Sequence, residues 1–326
     1  MNTGTFVTLL KQIITLLEDG SILNYGKKFS NLTITSYRQV YNQMVAYKFN
    51  FDIENLDLNN VNNRKDRLKV TRNLQSNVNK YLNMMLDDCK HHNTRKTHLK
   101  IIRTTLKKAE VHYGYLFPSL QSMRELQTEV IALNPTQVEL IHSKKPAHEL
   151  EDIWYYTRLM LYSCMRVSDL VNFQASSDGS VVTIITKKGV GAISSFYLPE
   201  DVRNFLEGRG SFSHSQQYFR VQLKTLLKSY KELHEKKVVY TYDHNGDPVH
   251  EEKYLYDIIT PHKLRASGIT YHLSKGLSEI EARNISGHKN GSTAFYRYVK
   301  HSNTVSIEKQ KKIADSTMSN IFYECE

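Results

Sequence analysis

The stretch from 260 to 300, TPHKLRASGITYHLSKGLSEIEARNISGHKNGSTAFYRYVK, is punctuated for a run of short helices joined by tight turns. Thr260 offers a capping hydroxyl, and Pro261 takes the first helical position, where its missing N–H would have been unpaired anyway. Gly276 ends that helix. Ser278 and Glu281 form a capping box for a second helix, which stops at Gly287; Asn290-Gly291 continues the turn, and Ser292 can cap a third. His262 and Arg265 are three residues apart, so the first helix presents them on one face. His288 follows the second helix, and the third carries Tyr296 and Tyr298. A cation, two imidazoles and two phenols thus meet at helix ends. Each residue alone has an ordinary reading: a solvated face for the Arg–His pair, a turn for Gly-His, half-buried packing for a helical tyrosine.

The rest of the chain reads as mainly α with small β-hairpins, in two domains. Residues 5–18, 33–48, 72–89 and about 94–115 have helical spacing, with an Asn- and Asp-rich connection at 55–63. In the fourth helix Leu99, Ile102, Leu106, Ala109 and Tyr113 make the apolar stripe, and Lys96, Lys100, Arg103 and Lys107 a basic one off that face. Phe117-Pro118 ends this array. The predicted boundaries are a helical domain at 1–118, a connection at 119–133, and a second domain at 134–326 whose first helix starts at Asn134-Pro135-Thr136. Residues 152–164 are apolar nearly all round, which predicts a buried helix containing Trp154. A strand at 181–187 pairs with about 192–198, Pro199 closing the hairpin; residues 218–233 read as an amphipathic helix. A second hairpin is predicted from the strands at 238–243 and 249–255 around the turn His244-Asn245-Gly246-Asp247. Residues 305–323 carry Val305, Ile313, Met318, Ile321 and Phe322 in a weakly amphipathic tail.

Charge narrows the partners. The net charge is +11 and the excess is uneven: residues 1–133 hold 19 Lys and Arg against 11 Asp and Glu. A polyanion is the expected partner. Cys89, Cys164 and Cys325 are odd in number and without metal spacing, so reduced thiols are expected. His91, His92, His98 and His112 fit no zinc pattern, and no metal or cofactor is expected. No apolar run approaches the roughly 20 residues of a membrane span, and residues 6–17, broken by Lys11, read as an amphipathic helix rather than a leader.

His262-x-x-Arg265, then Gly287-His288, then a tyrosine about ten residues on, resembles the C-terminal signature of the tyrosine recombinases, or phage integrases. That family has an earlier arginine in a Gly-x-Arg-x-Ser-Glu-Leu-like turn; Cys164-Met165-Arg166-Val167-Ser168-Asp169-Leu170 is similar, with Cys164 replacing Gly. The family's β-hairpin lysine falls to Lys188, with Lys187 as the alternative, and the loop after it is longer than the family's. The resemblance covers roughly residues 134–326.

It implies a two-domain architecture, a helical DNA-clamp domain plus a mixed catalytic domain, closing around double-stranded DNA. The implied activity is site-specific recombination or integration by a mobile-element type of enzyme, through a 3′-phosphotyrosine and a Holliday junction, with no metal or ATP. Arg166 and Arg265 would clamp the phosphate, Lys188 would protonate the leaving 5′-oxygen, His262 would assist proton transfer and His288 would bond the phosphate. Tyr298, ten residues after His288, is the expected nucleophile; Tyr296 is the alternative if one loop residue is missing. Lys96, Lys100, Arg103 and Lys107 become a DNA-backbone face. The resemblance further implies a tetramer on DNA, a tail docked on a neighbouring subunit, no arm-binding domain within residues 1–30, and a cytoplasmic, nucleoid-associated protein. Two other readings stay open: a type IB topoisomerase-like nicking-closing enzyme, and a non-catalytic DNA-binding relative.

Overall fold

A computed structural model describes residues 4–127, 129–170, 175–178, 181–185, 193–288, 290–293 and 295–299. The chain divides into two compact units, the first holding residues 1–128 and 240–250, the second 129–239 and 251–326.

The first unit is helical. Helix α1 (Phe6–Asp19) buries Phe6, Leu9, Leu10, Ile13, Ile14 and Leu17, an i, i+3, i+4, i+7 stripe, and ends at Gly20 with φ 87°. Helix α2 (Asn31–Ala46) begins where the Ser30 hydroxyl accepts from Thr33 N–H and buries Ile34, Tyr37, Val40 and Met44. Helix α3 (Arg64–Asp87) starts eight residues before its apolar periodicity does, because Asn63 caps it through Asp66 N–H. The Asn- and Asp-rich connection before it folds into two single 3₁₀ turns. Helix α4 (His92–Tyr113) buries Leu99, Ile102, Leu106 and Ala109 as its spacing predicts, and its residues join those of the other three in one core.

That core contains a histidine. His98 is buried with Nδ1 2.8 Å from the Tyr81 hydroxyl, which accounts for it as a packed, hydrogen-bonded side chain. Arg95, also buried, lies three residues before it and donates to His244 O at 2.8 Å, a use for residues 240–250 that sequence pattern does not suggest.

The second unit is built on two helices buried nearly all round, α6 and α11. Helix α5 (Pro135–Ser143) precedes them and opens with a capping box of Asn134 and Gln137. Helix α6 (Glu151–Ser163) is the core helix that its composition predicts; Trp154 is buried and donates Nε1–H to Ile141 O at 2.5 Å. A one-turn helix α7 (Val167–Leu170) follows. Strands β1 (Ala175–Asp178), β2 (Val181–Ile185) and β3 (Ile193–Tyr197) form an antiparallel sheet in the order β1-β2-β3. The register pairs Ala175 with Ile184 and Val181 with Tyr197. The predicted hairpin is therefore two strands of three. Strand β1, Ala-Ser-Ser-Asp, lacks the β-branched alternation that marks a strand in sequence.

Helix α8 (Glu200–Arg209) starts after Pro199 and carries no clear sequence period, burying only Val202 and Leu206. Helix α9 (Gln216–Ser229) is capped by Ser215. Strands β4 (Lys236–Tyr242) and β5 (Pro248–Tyr254) form the second, two-stranded sheet; its turn is closed by Asp243 Oδ1, which accepts from Gly246 and Asp247 N–H at 2.8 and 2.9 Å. Short helix α10 (Leu255–Ile258) leads to α11 (Pro261–Ser274) and α12 (Glu279–Ser286). No helix among the described residues is long and apolar enough to cross a membrane.

Burial, with a smaller push from Lys90, holds the His98 imidazole down to about 4, below the roughly 6.5 of an unfolded chain. Between those values the unfolded state binds the extra proton, so stability is full above about pH 6.5 and is lost as pH falls toward 4. At about 1.4 kcal/mol per pKa unit the loss is of order 3 kcal/mol. His98→Asn should lower stability at pH 7.5 yet flatten this acid slope, as read by urea melts at a series of pH values. An unchanged slope would show that His98 does not set it.

Candidate active site

Three helix ends assemble the predicted cluster. Helix α6 stops at Ser163 with Cys164 in the left-handed region (φ 50°, ψ 25°), the conformation for which glycine is the default residue. The cysteine that replaces the expected glycine is fully buried, and its thiol, pushed up to about 12 by burial, stays protonated. This turn in the backbone delivers Arg166 to the start of α7. There the carboxylate of Asp169, itself buried, accepts from Arg166 N–H at 3.2 Å, and Asp169 donates its own N–H to Arg166 O at 2.8 Å. Arg166 is half-buried.

Helix α11 begins as predicted, with the Thr260 hydroxyl accepting from Lys263 N–H at 3.4 Å and Pro261 in the first turn. Arg265, 2% exposed, donates to Cys164 O and to Ser286 O, both at 2.5 Å. Both acceptors are carbonyls at helix C-termini, which have no intrahelical partner and carry the negative end of the helix dipole. Burial and Arg166 lower the Arg265 guanidinium to about 10, so it remains charged at neutral pH. His262 lies exposed on the same helix.

Helix α12 has the predicted Ser278–Glu281 capping box and ends in a Schellman turn. Gly287, at φ 60°, donates to Asn284 O (3.1 Å), and His288 N–H reaches Arg283 O (3.2 Å). This turn brings the His288 ring to Arg265, whose Nη2 lies 3.2 Å from Nδ1 and 3.3 Å from Nε2. Burial, then Arg265, Arg166 and His262, push the imidazole down to about 3, so it is neutral near pH 7.

Residues 295–299 are helical after the turn at 290–291, with Ser292 O accepting from Phe295 and Tyr296 N–H. Phe295 and Val299 face the core as expected. The two tyrosines part company: Tyr298 is 5% exposed, whereas Tyr296 is 51% exposed. The Tyr298 ring meets His288 at 5.8 Å between centroids. Burial raises its phenol, while Arg265 and Arg166 pull the other way. The structure thus gathers Arg166, Arg265, His262, His288 and Tyr298 into one electrostatic neighbourhood, although the sequence spreads them from 166 to 298. An anchored guanidinium and a second one near it, beside a neutral imidazole and a phenol, suit an oxyanion with several acceptor oxygens and a centre open to nucleophilic attack.

Lys187 and Lys188 lie outside the described residues, as does the tail from 300 onward. In the first unit Lys100, Arg103 and Lys107 border a groove of about 410 Å3 with Phe117, Pro118, Ser119 and Leu120. Lys96 instead bonds Glu125 at 2.8 Å. Asp169 belongs to the arginine-turn motif read from the sequence, whereas Ser286 gives no sequence signal and reads as an ordinary last helical residue.

No family model and no curated protein sequence matches this chain. Solved structures do match. A transposon Tn1549 integrase in complex with transposon right end DNA superposes with TM-score 0.57 at 12% identity, over 94% of this chain and 99% of that one. A lambda integrase tetramer bound to a Holliday junction gives TM-score 0.57 at 14% identity over 90% and 80% of the two chains. XerH site-specific recombinase bound to palindromic difH substrate gives TM-score 0.53 at 13% identity over 89% and 80%. The chain has the two-domain, mainly helical fold of the tyrosine recombinases and integrases.

The site depends on how closely α11 approaches α6. A Cβ on Gly268 would collide with the Leu161 carbonyl oxygen and lie 3.0 Å from Cys164 Sγ. Gly268→Ala should therefore cost about 1–3 kcal/mol in a thermal melt and shift Arg265, three residues before it, off the Cys164 carbonyl. Wild-type stability in this variant would mean that the two helices do not pack this closely.

Proposed function

We propose that this protein cleaves and rejoins double-stranded DNA at specific sites through a 3′-phosphotyrosine, as a tyrosine-type recombinase. The observation that carries the reading is the burial of Tyr298 against His288, in the field of the Arg166 and Arg265 guanidiniums.

In this mechanism the scissile phosphate lies against Arg166 and Arg265. Their planar forks suit its non-bridging oxygens, and they stabilise the charge that grows in the pentacoordinate transition state. The Tyr298 phenol gives up its proton, with His262 as the acceptor, and its oxygen forms a bond to phosphorus as the bond to the 5′-oxygen breaks. The leaving oxygen takes a proton from the hairpin lysine, Lys188 or its neighbour Lys187; His262 assists proton transfer, and neutral His288 donates one hydrogen bond to the phosphate. The tyrosyl phosphodiester keeps the energy of the broken bond, so a 5′-hydroxyl from either duplex can reverse the reaction without ATP. Charge supplied by two arginines lets the step run without a metal ion. Exchange between two sites calls for a tetramer and a Holliday junction. The fold shared with DNA-bound integrases supports this assembly, as does the excess positive charge of the first unit. Lys100, Arg103 and Lys107, with Lys96 at the end of the row, would track the DNA backbone.

The decisive experiment uses a nicked suicide substrate that traps the covalent complex. Peptide mass mapping should find the DNA adduct on Tyr298, and Tyr298→Phe should abolish it. An adduct on Tyr296 would overturn the assignment. Arg166→Ala, and Arg265→Lys, which keeps a cation beside the Cys164 and Ser286 carbonyls, should each slow cleavage by roughly 10²–10³-fold or more while DNA binding persists. Site-independent relaxation of supercoiled plasmid would favour the topoisomerase-like reading.

Charge reversal at Lys100, Arg103 and Lys107 should weaken binding to every DNA sequence. It should also make log Kd less dependent on log salt, by about one unit of slope for each phosphate left unneutralised. An unaltered salt slope would assign the row to solvent.

A further inference from the structure

We infer that Ser286 is a positioning residue for the site: its hydroxyl selects the His288 tautomer that donates from Nε2, while its carbonyl anchors Arg265. This inference rests on the proposed reaction for its kinetic consequence, but not for its geometry.

Ser286 is the last residue of α12 and is 2% exposed. A buried hydroxyl requires partners, and it has two within reach: His288 Nδ1 at 2.8 Å and Arg283 O at 3.2 Å. The carbonyl of Arg283 already accepts from His288 N–H, and the nitrogen is the nearer of the two. A carbonyl oxygen can accept twice, but Nδ1 is the shorter contact, and Arg265 Nη2, a donor only, lies 3.2 Å from Nδ1 and 3.3 Å from Nε2. On the inferred assignment the hydroxyl proton goes to Nδ1. A nitrogen that accepts a hydrogen bond carries no proton, so the proton of the neutral ring sits on Nε2.

The field around the ring makes this choice matter. Burial, with Arg265 and Arg166, keeps the imidazole neutral near pH 7. An imidazolium would donate from both nitrogens and need no selection; a neutral ring donates from only one. A phosphate oxygen can only accept, so His288 serves it only as the Nε2–H tautomer. The ring is also confined, packing against Phe295 at 5.5 Å and Tyr298 at 5.8 Å between centroids. The Schellman turn fixes its backbone two residues from the serine. Main chain and side chain of Ser286 thus serve different partners: Ser286 O holds Arg265 Nη2 at 2.5 Å, and Oγ holds the imidazole.

That division makes the test clean, because Ser286→Ala removes the hydroxyl and keeps the carbonyl. In the full-length protein without DNA, the ¹⁵N shifts of His288 should show a bare Nδ1 and a protonated Nε2. In Ser286→Ala this preference should be lost or reversed, and in Ser286→Thr it should be retained. Single-turnover cleavage of the nicked substrate should slow about tenfold in the Ala variant, the worth of one buried hydrogen bond. Its Kd for DNA should stay unchanged, and the Thr variant should recover the rate. A wild-type ring protonated on Nδ1, or an Ala variant with wild-type tautomer and rate, overturns the inference. If wild-type protein shows the expected tautomer yet forms no covalent DNA complex, the reaction proposed above fails and the positioning role of Ser286 stands.

Discussion

A buried guanidinium holds the second unit together. Arg265 is almost wholly removed from water, which for an isolated charge would be prohibitive. Two helix ends offset that cost. Cys164 O at the end of α6 and Ser286 O at the end of α12 both accept from it, and neither carbonyl has a partner within its own helix. The negative ends of two helix dipoles therefore face one cation, and a residue of α11 ties its sequence neighbour α12 to α6, whose end lies 101 residues earlier. Of the five N–H donors on a guanidinium, part are committed to the fold and the rest can bind an oxyanion. Removing the side chain would both empty the site and orphan two carbonyls.

The same cation sets the chemistry of its neighbours. With Arg166, it helps burial keep His288 neutral and opposes the rise that burial imposes on the Tyr298 phenol. An oxyanion lodged between the guanidiniums is expected to screen this field, so the basicity of His288 should rise on binding. A site arranged in this way suits an anion, because the Arg265 charge is anchored on two carbonyls before anything binds.

Much of the fold was legible because its signals are local. The caps at Thr260 and Ser278 and the helix start at Asn134 occur in the structure as hydrogen bonds, and the stripes of α1 and α4 are buried as their spacing requires. Strand β1 and helices α8 and α10 were not legible. Strand β1 has a sequence with little strand propensity and is defined by its pairing with β2. Helix α8 buries too few apolar residues to announce a period. The start of α3 shows a related limit, since its first turns are exposed and only the cap at Asn63 marks them.

Local pattern was enough for the helix ends, the residue types around them and the positive charge, because capping and periodicity act within a few residues. The resemblance to the recombinase signature narrowed the candidate nucleophile to two tyrosines, which spacing ranked without separating. Long-range packing gives the two different surroundings: Tyr298 turns toward His288 and the core while Tyr296 turns to solvent. Packing also allows Cys164 to occupy a glycine-like turn, because the left-handed backbone is accepted there and the thiol fills space beside Gly268. Lys96 was given Glu125 as an ion-pair partner, and Ser286 was given two partners at once. These outcomes depend on which surfaces meet across long stretches of chain, and no local pattern encodes that.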